Sequence, residues 1–259
     1  MKIGATLLVY NEIDVIHQVM RHYIPVLDYF IVLNNMSTDG TREAVQSYTQ
    51  CSNVTNVILL DVISKTYWQK EWVTRACKHL IQLGADWIIN LDADEIYTGS
   101  IRNVIEQVDA QGFNQIYATG AFYYPTIFDD AFELNPFKRI TYHDSFDIKY
   151  SNDKMIFKKD GFLSVCQGNH WAFFDGMIKP RMMRTQNILL HHYPDRSAQQ
   201  FASKYRGKFS EQKLKNMGVG WQAKNRIWLE GGDEALIRYY NDNVVLKERD
   251  IVERKLIND

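Results

Sequence analysis

Across roughly its first hundred residues the chain alternates between two hydrophobic periods, and no other feature limits its fold so strongly. Ile3 to Tyr10 is a short apolar run suited to a buried strand. Ile13, Ile16, Met20 and Tyr23 then recur every three to four residues, the stripe of an amphipathic helix. Tyr29 to Leu33 reads as a second strand, ended by Asn34 and Asn35. The segment from Asn35 to Gly40 is a turn, and Thr41 to Tyr48 a helix. Val57 to Leu60 is a third strand, Trp68 to Leu83 a helix, and Trp87 to Leu91 a fourth strand. Short apolar strands separated by helices imply an α/β fold, with a Rossmann-like, mainly parallel sheet flanked by helices.

After Ser100 the order changes. Ile101, Val104, Ile105 and Val108 give one more helical stripe, and Gln115 to Tyr124 is strand-like and aromatic. Pro125 to Trp171 is irregular and reads as short antiparallel strands and loops. Beyond Asp195 helices return, at Ala198 to Tyr205 and at Asp233 to Lys255, the latter broken near Asn241 and Asn243. We therefore expect one compact domain with a regular half over residues 1–110 and a more variable, mixed half over 111–259.

Composition excludes several classes. With 46% hydrophobic and 24% charged residues, the chain can bury a core. A formal net charge of -1 gives no bulk reason to expect a nucleic-acid partner. Cys51, Cys77 and Cys166 are too far apart for a thiolate metal site or a disulfide framework and read as isolated thiols. The apolar run at the N-terminus is too short for a signal peptide and is followed at once by Asn11 and Glu12. No segment offers about 18 consecutive apolar residues. The expectation is a cytoplasmic protein without a transmembrane span, with peripheral membrane contact left open.

Ligands of an open parallel sheet bind beyond the carboxyl ends of its strands. Polar residues collect there: Asn11 and Glu12, Asn34 with Ser37 and Asp39, Asp61 with Lys65, and above all Asp92-Ala93-Asp94-Glu95. Three carboxylates within four positions repel one another unless a cation or strong donors are present. A hard divalent ion, Mg²⁺ or Mn²⁺, prefers oxygen ligands and can bridge carboxylates to phosphate oxygens. Asp92 and Asp94, two apart on an extended segment, would point the same way. The alternative is local: Asp94 or Glu95 could cap the helix that starts near Ser100.

At these residues the sequence resembles the family 2-like glycosyltransferases of the GT-A fold, in the branch that carries a DxDE segment. The matches are Tyr10-Asn11-Glu12, the segment from Asn35 to Thr41, Leu91-Asp92-Ala93-Asp94-Glu95, and His192-Tyr193-Pro194 followed by Arg196, Ser197 and Lys204. The resemblance implies that residues 1–110 bind the nucleotide, with Asn11 and Glu12 at the mouth of the base and ribose pocket. Asp39 would lie near the base or ribose, with Asn34 and Ser37 shaping the turn. Asp92 would reach the ribose or the metal, Asp94 would be a direct ligand, and His192 rather than His191 the imidazole ligand. Arg196 and Lys204 would clamp the diphosphate. Residues 111–259 would bind the acceptor, with His170 and Trp171 on the acceptor side.

The implied reaction is metal-dependent transfer of a hexose from a nucleotide-diphosphate sugar, a UDP-sugar favoured. The acceptor would be a hydroxyl of a glycan or lipid-linked saccharide, and transfer would invert the anomeric centre. Inversion needs a carboxylate base, and Glu95, Asp144 and Asp147 are the candidates. The basic run Lys204, Arg206, Lys208, Lys213, Lys215 is either a solvated face or a surface for an anionic lipid-linked acceptor. Two other classes stay open: a nucleotide-sugar hydrolase or nucleotidyltransferase, and a glycan-binding scaffold without turnover.

Overall fold

The computed structural model describes residues 1–50, 56–62, 68–146, 154–206 and 219–251. The chain divides into two compact units. One is built from Met1–Ala121 with Phe146–His192, the other from Phe122–Ser145 with Tyr193–Asp259.

The first unit holds an eight-stranded sheet. Its opening strands are β1 (Ile3–Val9), β2 (Tyr29–Asn34), β3 (Val57–Asp61) and β4 (Trp87–Asp92), linked by helices α1 (Ile16–Tyr23), α2 (Thr41–Gln50) and α3 (Gln69–Gln82). β1 pairs in parallel with β2 on one side and β4 on the other, and β2 with β3. Nearly every residue of β1, β2 and β4 is buried, as strands covered on both faces must be. In α1 the apolar face is Ile16, Val19, Met20 and Tyr23. Ile13 lies before the helix and is 40% exposed, so the sequence stripe overshoots the helix by one turn.

β4 is followed by β5 (Glu95–Gly99), α4 (Ile101–Ala110) and β6 (Gln115–Phe122). The expected stripe of α4, Ile101, Val104, Ile105 and Val108, is buried. Next come the short α5 (Pro136–Arg139), β7 (Met155–Lys158), β8 (Phe162–Val165), β9 (Ala172–Phe174) and β10 (Met182–His192). The sheet order is β3-β2-β1-β4-β7-β6-β10-β5, and β8 and β9 form a separate hairpin. The parallel N-terminal half and the mixed remainder are the expected architecture. β7 runs antiparallel to β4, with Ile88 opposite Phe157 and Ile89 opposite Ile156. That register puts Lys154, just before β7, beside the last residues of β4. Phe162 and Val165 of the hairpin join α3 and the sheet in one core, where the Phe157 and Phe162 rings stack at 5.1 Å.

In the second unit, α6 (Ala198–Tyr205) packs on α7 (Val219–Tyr239) and on a π-helical turn at Tyr240–Val244. Their core is Phe201, Ala202, Tyr205, Leu236 and Tyr240. α7 begins well before the expected Asp233 and kinks at Gly231 and Gly232, where the backbone leaves helical geometry. Asn241 and Asn243 fall in the π-helical turn rather than in a gap between helices. Cys77 and Cys166 are free and buried, and Cys51 lies outside the described residues. Among the described residues, no helix is long and apolar enough to cross a membrane.

Candidate functional site

The order β3-β2-β1-β4 means that the chain steps outward from β1 and then returns to its other side. The carboxyl ends of β1 and β4 therefore flank the point where the winding reverses, where such sheets bind ligands. Leu8 pairs with Asp92 and Val9 with Asn34, so the polar residues after the three strands start from one level.

Those after β1 and β2 interlock. Asn11 has a φ of 55°, a left-handed conformation that Asn tolerates better than most residues. Its amide donates to Ser37 Oγ at 3.1 Å, and its side-chain oxygen accepts from the Thr38 amide at 2.8 Å. The Glu12 amide donates to Thr41 Oγ1 at 2.8 Å. Asp39 accepts from the Thr41 amide at 3.0 Å and from the Ile13 amide at 3.1 Å, so it ties both loops together. Asn34 is buried, donating to Asp61 at 2.8 Å and accepting from the Ser37 amide at 3.2 Å. Arg42 covers the other side of Asp61, with Nη2 at 2.7 Å. Lys65, expected beside Asp61, lies outside the described residues. The chain thus invests its polar strand ends in one rigid loop pair.

After β4 the geometry differs from the expectation. Asp92 is the last residue of the strand, and Ala93-Asp94 form a turn into β5. The alternation of side chains stops at that turn, and Asp92 and Asp94 make different close contacts, while the charge of each acts on both Lys154 and Glu95. Asp92 is ion-paired with the ammonium of Lys154, a side chain only 2% exposed, and its other oxygen lies 3.4 Å from Asn169 Nδ2. Asp94 faces His192 instead, with Oδ2 3.6 Å from Nε2. Antiparallel pairing of β10 with β5 sets His192 opposite Glu95, and His192 Nδ1 lies 3.9 Å from Glu95 Oε1. His191, one residue earlier, points to the opposite face and meets Thr98 Oγ1 at 2.8 Å. Among the described residues, no group of three or more His, Cys, Asp or Glu side chains is placed to hold a metal ion. Asp94 with His192 is a two-member set.

Glu95 is fully buried, and neither of its oxygens accepts a hydrogen bond among the described residues. Burial pushes its carboxyl up to about 7. Lys154, 3.5 Å away, and His192 pull it down, while Asp92 and Asp94 push it further up. Lys154 responds oppositely: burial lowers its ammonium, but Asp92 and Glu95 outweigh this and hold it above the usual lysine value. The net result is an ammonium that stays charged and a buried carboxyl that ionises reluctantly. Its full burial sets Glu95 apart from Asp144, the partly exposed candidate base.

Lys154 also donates to the Gly168 carbonyl at 3.1 Å. Gly168 and Asn169 form the tip of the β8–β9 hairpin, both with positive φ (88° and 60°). The tip is closed by the Cys166 amide on the Trp171 carbonyl at 2.8 Å and anchored by Gln69, which accepts from the Gly168 amide at 3.1 Å. His170 is half-buried beside it, and Trp171 is 51% exposed with its ring 6.2 Å from that of His170. The hairpin thus carries both expected acceptor-side residues next to the acidic strand end.

In the second unit, Arg196 is 1% exposed and directs Nη1 to the Tyr193 carbonyl at 3.4 Å. Lys204 donates to the Pro194 carbonyl at 2.6 Å. Both cations brace the turn at Tyr193-Pro194. Ser197 caps α6, accepting from the Gln200 amide at 3.1 Å. Asp144 is half-exposed and accepts from the Tyr124 hydroxyl at 2.7 Å. Asp147 lies outside the described residues, as do Lys208, Lys213 and Lys215, while Arg206 is ion-paired with Asp233.

Sequence reasoning missed Lys154 and gave Asn169, next to His170 and Trp171, no role of its own. A lone lysine before a four-residue apolar strand reads as a surface residue. The only hint was the three crowded carboxylates: they demand positive charge, and the chain carries some of it itself.

No protein-family model matches the chain, and no curated protein does. Among solved structures it is similar to a glucosyl-3-phosphoglycerate synthase from Mycobacterium tuberculosis in complex with phosphoglyceric acid. The identity is 19% over 46% of this chain and 44% of that one, with a TM-score of 0.33. It is also similar to a mannosyltransferase from Pyrobaculum calidifontis in complex with GDP-Man and Mn²⁺, at 12% identity over 95% of this chain and 76% of that one, with a TM-score of 0.44. A third is a candidate glucose-1-phosphate thymidylyltransferase from Bacillus anthracis in complex with a sucrose. Here the identity is 9% over 99% of this chain and 95% of that one, with a TM-score of 0.34. At these values the likeness is loose, and the roles of residues rest on the geometry of this chain alone.

Proposed function

We propose that this chain is a GT-A-type glycosyltransferase that uses Mn²⁺ or Mg²⁺ to transfer a hexose from a nucleotide-diphosphate sugar. A UDP-sugar is the favoured donor, and a hydroxyl of a glycan or lipid-linked saccharide the acceptor, with inversion. The observation that carries the reading is the meeting of Asp94, in the β4–β5 turn, with His192, at the end of β10, 3.6 Å apart beside the switch point of the sheet.

An oxygen and a nitrogen at that spacing can ligate one ion together. A hard ion held by few protein ligands completes its shell with water and substrate phosphates, so a two-member set suits a site that fills only with its donor. Bound there, the ion would offset negative charge on the departing nucleoside diphosphate. The interlocked loops of Asn11, Glu12, Ser37 and Asp39 would form the rigid wall against which base and ribose are held. Their hydrogen bonds are already made, so binding need not first order them. His170 and Trp171 would receive the acceptor, Trp171 offering an exposed indole face to a sugar ring.

The test is a panel of nucleotide sugars incubated with Mn²⁺ and no acceptor, followed by product analysis. Slow release of a nucleoside diphosphate from one donor is the expected result. Pyrophosphate would identify a nucleotidyltransferase instead. Failure to bind any nucleotide sugar with or without Mn²⁺ would point to a non-catalytic scaffold.

A further inference from the structure

The most deeply buried cation near the acidic strand end is one the reaction just proposed does not use. Lys154 is 2% exposed, and its ammonium has three donors to place. One engages Asp92, one the Gly168 carbonyl at 3.1 Å, and the remaining side faces Glu95 Oε1 at 3.5 Å. Asp92 is correspondingly occupied: one oxygen takes the ammonium and the other faces the Asn169 amide at 3.4 Å. Three segments distant in sequence meet here: the β4–β5 junction with Asp92 and Glu95, Lys154 just before β7, and the tip of the β8–β9 hairpin.

We propose that Lys154 is the internal counter-ion of this acidic cluster, a positioning residue that withdraws Asp92 from cation coordination. Asp94 and His192 are thereby left as the pair that receives a single divalent ion. The second half of this statement rests on the metal-dependent reading above; the first does not. A divalent ion approaching Asp92 would have to displace an ammonium that is already fixed and would be repelled by it. Glu95 belongs with Asp92: it is fully buried with no hydrogen-bond donor on either oxygen among the described residues, so Lys154 is its main source of compensation. The ammonium also fixes the hairpin that bears His170 and Trp171, so one residue sets both the carboxylates and the neighbouring loop.

Two measurements on the full chain test this. Mn²⁺ titration in the presence of UDP, read by electron paramagnetic resonance, compares Asp92→Asn with Asp94→Asn. The proposal expects roughly tenfold or greater weakening for Asp94→Asn and a change within about threefold for Asp92→Asn. In a Lys154→Met background Asp92 becomes available, and adding Asp92→Asn should then weaken Mn²⁺ roughly tenfold. Equal losses from the two asparagine variants in the otherwise native chain would overturn the division. Thermal melting without metal addresses the counter-ion itself. Lys154→Met should lower Tm, and adding Glu95→Gln should recover at least half of the loss, because the buried carboxyl left without its counter-ion is then gone. No recovery would overturn the assignment. If the native chain binds no Mn²⁺, the metal-dependent reading fails, and the melting pair alone decides the role of Lys154.

Discussion

A buried carboxyl and a half-buried one give this protein two pH responses of opposite sign. Asp28 ties the first strand down through the Ile3 amide, Arg102 and Lys2, at 2.9, 2.8 and 2.9 Å. Burial pushes its carboxyl up, but these donors outweigh it and hold it at about 2, below the ordinary 3.8. A depressed carboxyl stabilises the fold above its unfolded value, and that contribution is lost as pH falls from about 4 towards 2. Glu95 works the other way. Its carboxyl, pushed from 4.5 to about 7 chiefly by burial, holds a proton that the unfolded chain has already released. Stability is then lost as pH rises through that window. In metal-free buffer, Tm should fall as pH rises from about 5 to 7, and Glu95→Gln should flatten that slope. Thermal melts at stepped pH check both, and a Glu95→Gln profile parallel to the native one would contradict the assignment. Residue identity at the site was partly legible beforehand. The apolar runs before them draw attention to Asp92-Ala93-Asp94-Glu95 and to His191-His192, while the choice of Asp94 and His192 within them rests on the family resemblance. The pairing of Asp92 with Lys154 could not be read, because it depends on the register of a short antiparallel strand.

Among the elements, the pairing of β5 with β10 does most to create the site, because it sets His192 opposite Glu95 and near Asp94. The register is closed at Gly99, which pairs with Ile188 and has a φ of 97°. A Cβ there would lie 2.3 Å from the Asn187 carbonyl oxygen, so both the dihedral and the close approach demand glycine. Gly99→Ala should therefore cost about 1–3 kcal/mol of stability, measured by denaturant titration. It should also weaken Mn²⁺ binding, because the strand that carries His192 is displaced. Native stability and native Mn²⁺ affinity in that variant would refute the role given to this pairing. β5 itself was hidden in the sequence. Glu95 to Gly99 follows a strand after only two residues and reads as the approach to α4. Its partner lies about ninety positions away, and a contact that distant leaves no periodic trace along the chain. β1 to β4 and α1 to α4, by contrast, were plain in the hydrophobic periods, since each is packed on a core and so carries an apolar face.

For the molecule as a whole, the argument runs from topology to chemistry. A parallel β3-β2-β1-β4 order creates one reversal of winding, and the chain places its acidic strand end there. The formal net charge of -1 shows that this acidity is local and not an attribute of the whole surface. What remained closed to sequence reading is the return of the segment 146–192 to complete the first unit, because β7, β8 and β9 are only three or four residues long. The central claim is that Asp94 and His192 together admit one divalent ion on which nucleotide binding depends. Isothermal titration of UDP into the native chain and into Asp94→Ala, each with and without Mn²⁺, tests this most directly. The account predicts that Mn²⁺ tightens UDP binding to the native chain by roughly tenfold or more and leaves Asp94→Ala nearly unaffected. Equal Mn²⁺ dependence in the two proteins, or none in the native chain, would contradict it.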